Sequence, residues 1–392
     1  MLKLADVVRR HGPAYVRRFR AGILPSHVRA LDRIALCRTP ALGGHIAVCT
    51  HCSEEHMLFH SCRHRACPQC GHDATSRWLE RQRQLLLPVP YFHVVFTLPE
   101  ELRDLVRSNQ RPLVAALFRA AFHAVAALAR DDHFLGAHIG ALAVLHTWTR
   151  TLEWHPHVHM LVPAGGLAAD GRTWRPLPRR KRRFLAPVKA LGKLFRGRFL
   201  HLARRALPGA PFPAIPWEKR WVVFAKPVAH GAEKVLEYLG RYVHRTAMSD
   251  RALVATDDNT VTFRYRDSRD HRHKVLSLPA HEMLRRFLQH VPPKGMHRVR
   301  AFGLLHPAER DTLRRLQLLL APRSRRGEDE VEPEPAPRRA RTRCAHCGEP
   351  DLSLVRRFEP DLTQAPPFGS FFELRRARAP PDADAPRAAD AR

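Results

Sequence analysis

Two Cys-x-x-Cys knuckles, Cys49-Thr-His-Cys52 and Cys67-Pro-Gln-Cys70, stand fourteen residues apart and leave the N-terminal part of this chain few ways to fold. That spacing lets four thiolates converge tetrahedrally on one zinc ion. A module of this size buries too little apolar surface to fold alone, so metal binding would supply much of its stability. We therefore expect a structural zinc at Cys49, Cys52, Cys67 and Cys70. Cys37, His45, Cys62, His64 and His72 lie around the knuckles and could replace a ligand or form a second site, but each reads as an ordinary buried cysteine or surface histidine. Cys344-Ala-His-Cys347 is half of a further knuckle with no later cysteine. A metal there needs His346, an upstream ligand or a partner chain.

Eight cysteines could instead form disulfides, but Met1 to Arg20 carries charges where a signal peptide would be apolar. No run approaches the roughly 18 apolar residues of a membrane helix. The expectation is a cytoplasmic, nucleoid-associated protein of bacterial type with no membrane partner. Lysine and arginine number 67 against 37 acids, a formal charge of +30, which favours a polyanion and above all nucleic acid.

The 392 residues, 44% of them hydrophobic, suffice for two or three domains. The texture divides them into a zinc-binding, DNA-recognition unit at 1–85, a catalytic unit at 86–320, and a linker with a largely disordered tail at 321–392. In the first, a helix starts near Ser26, whose side chain can cap it. In the second, 92–98 is a buried strand closed by Pro99, and Leu113, Val114, Leu117, Phe118, Ala121, Phe122, Val125 and Leu128 mark one face of a core helix. Residues 168–216, which include Arg179-Arg-Lys-Arg-Arg183, read as a basic insertion of loop and short helix facing solvent or phosphate. A strand at 221–224, a helix from about 232 to 248, and a hairpin of 261–266 with 274–278 complete the unit.

The chemistry sits on two segments. His155-Pro-His-Val-His159 puts His157 and His159 two apart on a strand, so both imidazoles project from one face and can share a cation. Two histidines leave coordination positions for a phosphate oxygen, and a third protein ligand is expected. If the strands 141–148 and 157–162 form a hairpin turning at Leu152-Glu153, His146 falls opposite His159 on that face and becomes the third ligand. A slip of one residue would give the role to Glu153 or His155.

The second segment is Glu233-Lys-Val-Leu-Glu-Tyr238-Leu-Gly-Arg-Tyr242-Val-His-Arg245, where Tyr238 and Tyr242 lie four apart on one helical face. Lys234, Arg241 and Arg245 border that face as candidate phosphate contacts. A phenol with a pKa near ~10 needs such cations, or a metal, to attack phosphorus at neutral pH.

With these residues in place, the chain resembles the HUH, two-tyrosine transposases of rolling-circle insertion sequences. The resemblance rests on Cys37 to His45, Cys49 to Cys52, Ser61 to Cys70, His93-Val-Val-Phe-Thr-Leu-Pro99, Leu145-His-Thr147, His155 to Val162, Tyr238 to Arg245, Arg286 to Gly295 and Arg298 to Leu305. It implies an α+β fold: an antiparallel-sheet palm flanked by helices, preceded by the zinc domain and followed by the disordered tail. It also implies Mg²⁺ or Mn²⁺ at the histidines. One tyrosine would attack single-stranded DNA at an element end to give a 5′-phosphotyrosine and a free 3′-OH, and the other would serve the transfer to target DNA. A plasmid or phage replication initiator or relaxase shares this logic. The knuckles and charge alone would also suit a non-catalytic zinc-dependent nucleic-acid-binding protein.

Overall fold

The structure, a computed structural model, describes residues 1–178, 186–228, 247–267, 269–321, 343–349 and 352–361. The chain opens with helices α1 (Leu4–Arg18) and α2 (Pro25–Ala35), a hairpin of β1 (Gly44–Cys49) and β2 (Glu55–Phe59), and helix α3 (Pro68–Arg83). The N-cap of α2 is Leu24 without a side-chain cap, so Ser26 lies inside the first turn rather than capping it. Pro25 at the first position sets the entry instead, because its missing N–H costs a helix nothing there.

Next come β3 (Tyr91–Thr97), α4 (Arg103–Ser108), α5 (Gln110–Arg130), β4 (Gly140–Trp148) and β5 (Trp154–Pro163). A small ladder of β6 (Gly165–Leu167) and β7 (Trp174–Pro176) leads to α6 (Val188–Ala206) and β8 (Val223–Pro227). After residue 246 follow β9 (Leu253–Thr256), β10 (Thr260–Arg266), β11 (His273–Pro279), α7 (Ala280–Gln289), β12 (Val299–Gly303) and α8 (Arg310–Leu320).

The frame is a five-stranded antiparallel sheet in the order β12-β4-β5-β3-β8, with α5 and α6 on one face. This is the antiparallel palm with flanking helices that the family resemblance implied. Along β5 burial alternates: Trp154, Val158, Met160 and Val162 enter the core with α5 and α6, and His155, His157 and His159 turn to the opposite face. Helix α5 is long and apolar enough to cross a membrane, yet Leu113, Leu117, Ala121 and Val125 are spent on this core. The basic insertion needs correcting. Its helix α6 is 19 residues long, and Leu191, Phe195, Phe199 and Ala203, four apart, are fully buried against the sheet.

A second core joins the N-terminal helices to the strands after residue 246: Val8, Leu31 and Ile34 pack with Phe263, Met283 and Phe287. The packing thus crosses the boundary expected at residue 85. The C-terminal segment also returns. Strand β13 (Leu352–Phe358) pairs antiparallel with β1 and completes a sheet of order β13-β1-β2. Tyr238, Tyr242, Lys234, Arg241, Arg245 and the run 179–183 lie outside the described residues.

Candidate active site

The hairpin β4–β5 carries the site. His146 pairs with His157, and Val144 with His159, so the register stands two residues from the expected one. A two-residue displacement keeps every side chain on its face, and His146 still joins the other two histidines. The offset comes from an irregularity between His146 and Trp148 and from a wide turn at 149–153, where Leu152 takes φ +63°. In the turn Thr149 Oγ1 accepts from the backbone N–H of Thr151 and Glu153.

The ligand nitrogens of His146, His157 and His159 lie within 4.8 Å of one another. Their ring centroids are 4.4 Å (His146–His159), 4.9 Å (His157–His159) and 5.5 Å (His146–His157) apart. His157 donates from Nδ1 to the carbonyl of His155 at 2.7 Å, which leaves Nε2 as the atom it could offer a cation. Burial brings the His157 imidazole down to about 4 and pushes His159 lower still, with the neighbouring His146 and His157 adding to the effect. Neutral rings are what a cation requires. His155 is drawn aside by Arg103, whose Nη2 reaches its Nδ1 at 3.0 Å, and Glu153 is exposed at the turn.

One neighbour escaped the sequence reading. His93 on β3 meets Nδ1 of His159 through its own Nε2 at 2.8 Å, with the two rings nearly parallel. The signal available was its place in a strand that would have to pair beside β5, but the 66-residue separation hides such a contact from local patterns. His290, just after α7, was also missed. Its Nε2 donates to the Leu152 carbonyl and its Nδ1 accepts from the Thr147 hydroxyl, both at 3.1 Å, while its ring stacks on Trp154. Arg286 adds a bond from Nη1 to the Thr151 carbonyl. Together they brace the turn that sets the register.

The histidine face opens into a cleft of about 750 Å³. Trp148 and Tyr265 offer flat apolar surfaces along it, and Arg150, Arg251, Arg264 and Arg266 supply positive charge. This combination matches what single-stranded nucleic acid needs, stacking platforms beside phosphate-binding cations. Ala247, at the end of the segment that carries the tyrosines, lines the same cleft.

The cysteines group differently from expectation. Cys37, Cys62, Cys67 and Cys70 form one cluster, and Cys49 and Cys52 join Cys344 and Cys347 in another. The single set of Cys49, Cys52, Cys67 and Cys70 is not formed. The reason is the β1–β2 hairpin: Cys37 and Cys62 flank its base, whereas Cys49 and Cys52 sit at its tip. Five strand residues at ~3.3 Å each put the two ends roughly 17 Å apart. In the first cluster the Sγ of Cys70 lies 3.6 Å from those of both Cys37 and Cys62. A tetrahedron with metal–sulfur bonds of about 2.3 Å has edges of about 3.8 Å, so the donor set fits zinc. The backbone N–H groups of Cys62 and His64 point at Sγ of Cys37 and Cys62, as thiolate ligands require.

Comparison with known proteins agrees with this layout. Residues 7–98, which span the first cysteine cluster, match the family described as "Transposase zinc-binding domain", of IS91 type, and support a structural zinc there. Residues 140–312, from the histidine hairpin into α8, match the family described as "Putative transposase". "Putative transposase y4qJ" of Sinorhizobium fredii (strain NBRC 101917 / NGR234) is 42% identical over 322 residues, 77% of this chain and 80% of that protein. "Transposase for insertion sequence element IS801" of Pseudomonas savastanoi pv. phaseolicola is 32% identical over 308 residues, 72% and 71% of the two chains. No solved structure matches the chain. With both domain families present in order and two relatives aligned over most of its length, the chain belongs to the IS91-type transposase family.

Proposed function

We propose that the protein nicks and rejoins single-stranded DNA through a 5′-phosphotyrosine intermediate, moving its element by rolling-circle transposition. The observation that carries this reading is the cluster of three histidines, His146, His157 and His159, on one face of the β4–β5 hairpin, open to a cleft lined by arginines and by the rings of Trp148 and Tyr265. The relatives' names favour transposition over plasmid or phage replication.

His146, His157 and His159 would hold Mg²⁺ or Mn²⁺, which when bound polarises the scissile phosphate and offsets its charge. The residues of the chain do the rest. Trp148 and Tyr265 stack bases, and Arg150, Arg251, Arg264 and Arg266 hold phosphates so that one linkage lies against the histidines. Tyr238 or Tyr242 then attacks phosphorus. The new O–P bond forms as the bond to the 3′ oxygen breaks, and that oxygen leaves as a free 3′-OH after taking a proton. The bond energy is retained in the phosphotyrosine, and attack by another 3′-OH reverses the step to join target DNA. Chain connectivity supports the tyrosines' reach: Tyr242 precedes Ala247 by five residues, at most about 18 Å of extended chain. Lys234, Arg241 and Arg245 on the same segment would favour the phenolate and contact phosphate. On this reading the protein acts in the bacterial cytoplasm, at the nucleoid.

The test is covalent capture of a labelled single-stranded oligonucleotide from the element's end. A denaturation-resistant adduct should form only with a divalent cation, and only with single-stranded substrate. Capture that persists in chelator, or that prefers duplex DNA, would overturn the reading.

A further inference from the structure

The cysteines at the hairpin tip have their partners at the opposite end of the chain. Sγ of Cys49 lies 3.6 Å from that of Cys347, and Sγ of Cys52 lies 3.6 Å from that of Cys344. All four ligand atoms fall within 4.8 Å of one another. We propose that Cys49, Cys52, Cys344 and Cys347 bind a second zinc ion, which clasps the C-terminal segment onto the N-terminal sheet.

Two knuckles of the same build face each other across this cluster. In the first, Cys49 N–H donates to the Glu54 carbonyl and Ser53 N–H to the Cys49 carbonyl, both at 2.9 Å, with Ser53 at φ +60°. In the second, Cys344 N–H donates to the Glu349 carbonyl at 2.8 Å and Gly348 N–H to the Cys344 carbonyl at 3.0 Å, with Gly348 at φ +80°. Each turn folds its Cys-x-x-Cys so that both sulfurs face the same point. The left-handed residue after the second cysteine closes the turn, a conformation that Ser53 adopts against its steric preference. The thiolates are also supported from outside. The ring of His56 places Nε2 3.1 Å from Cys344 Sγ, and Cys347 N–H points at the same sulfur at 3.5 Å. Thiolates so arranged prefer a tetrahedral, thiophilic divalent ion.

The sheet beneath is shaped to receive the returning strand. Gly44 pairs with Phe358, and a Cβ on Gly44 would stand 2.6 Å from the Phe358 ring and from the Leu58 carbonyl oxygen. Gly43, at φ +69°, leaves room for the Phe358 carbonyl and Pro360. Phe358 packs edge-on against Phe59, and Asp361 N–H reaches the Pro40 carbonyl. The metal sits at one end of the β1–β13 ladder and these contacts at the other, so the clasp and the docked strand act together.

The test is metal content of the full chain under a thiol reductant. Wild type should hold two zinc ions per chain, and Cys344→Ser/Cys347→Ser should hold one, with an unchanged far-UV spectrum and new proteolytic cleavage between 343 and 361. One zinc in the wild type, two in the variant, or a second ion of another element would overturn the proposal. Should the variant misfold, cobalt titration of the wild type decides alone: two equivalents are expected to produce thiolate-to-cobalt absorption, and saturation at one would overturn the second site. Neither arm depends on strand transfer.

Discussion

His93 Nε2 and His159 Nδ1 stand 2.8 Å apart across the β3–β5 ladder, joining a strand outside the hairpin to one of its three clustered imidazoles. This bond fixes the ring of His159 and leaves Nε2 as the atom it would offer the proposed cation. Replacing the outer partner of a ligating histidine weakens metal affinity by roughly 10–100-fold. His93→Ala should therefore shift the cation concentration for half-maximal adduct formation upward by that factor, with activity recovered at high cation. A loss that no cation concentration restores would contradict the positioning role.

Two histidines two residues apart on β5 should differ sharply. His157 faces the cluster and His155 is held by Arg103. We expect His157→Ala to abolish cation-dependent capture and His155→Ala to leave it within about threefold, since only the first removes a ligand. Equal losses in the two variants would refute the assignment.

How much of this was legible in the sequence follows from which forces are local. The alternation of His157 and His159 along a strand, and the four-residue stripe of α6, are local periods, although the arginines of α6 drew the reading toward solvent. The face of His146 was legible and its exact partner was not, because an irregularity beside Trp148 and the turn at Leu152 shift the pairing by two, and neither has a marker in the sequence. Cysteine spacing could not distinguish the base from the tip of the β1–β2 hairpin. It marked Cys344 and Cys347 as half of a knuckle that an upstream ligand could complete, but not that the partners are Cys49 and Cys52, contacts spanning 292 and 298 residues.

The brace at His290 should make stability depend on pH. Burial lowers its imidazole to about 4. The folded protein keeps it neutral while the unfolded chain takes up a proton below about 6.5, so stability is full above about 6.5 and falls as pH drops toward 4. Between pH 7 and pH 5 this group alone should cost about 2 kcal/mol. In urea melts at the two values, His290→Gln should be less stable at pH 7 and lose less on acidification than wild type. An identical pH response in both proteins would count against the brace.

The cleft arginines should appear in salt titrations. For single strands each phosphate contact contributes about 0.7 to the slope of log affinity against log salt. Arg264→Ala/Arg266→Ala should flatten that slope by about 1.4 in fluorescence anisotropy. An unchanged slope would place the DNA elsewhere.

The central claim, a tyrosine nucleophile served by the histidine cluster, is tested most directly by locating the adduct. Trypsin cuts the chain after Lys234, Arg241 and Arg245, so Tyr238 and Tyr242 fall on separate peptides, Val235 to Arg241 and Tyr242 to Arg245. Mass spectrometry of the captured complex, digested with trypsin and nuclease, should find a nucleotide phosphate on one of these two peptides. The modification should vanish in Tyr238→Phe/Tyr242→Phe. Cleavage that leaves a free 5′-phosphate with no modified peptide, or an adduct on any other residue, would contradict the account.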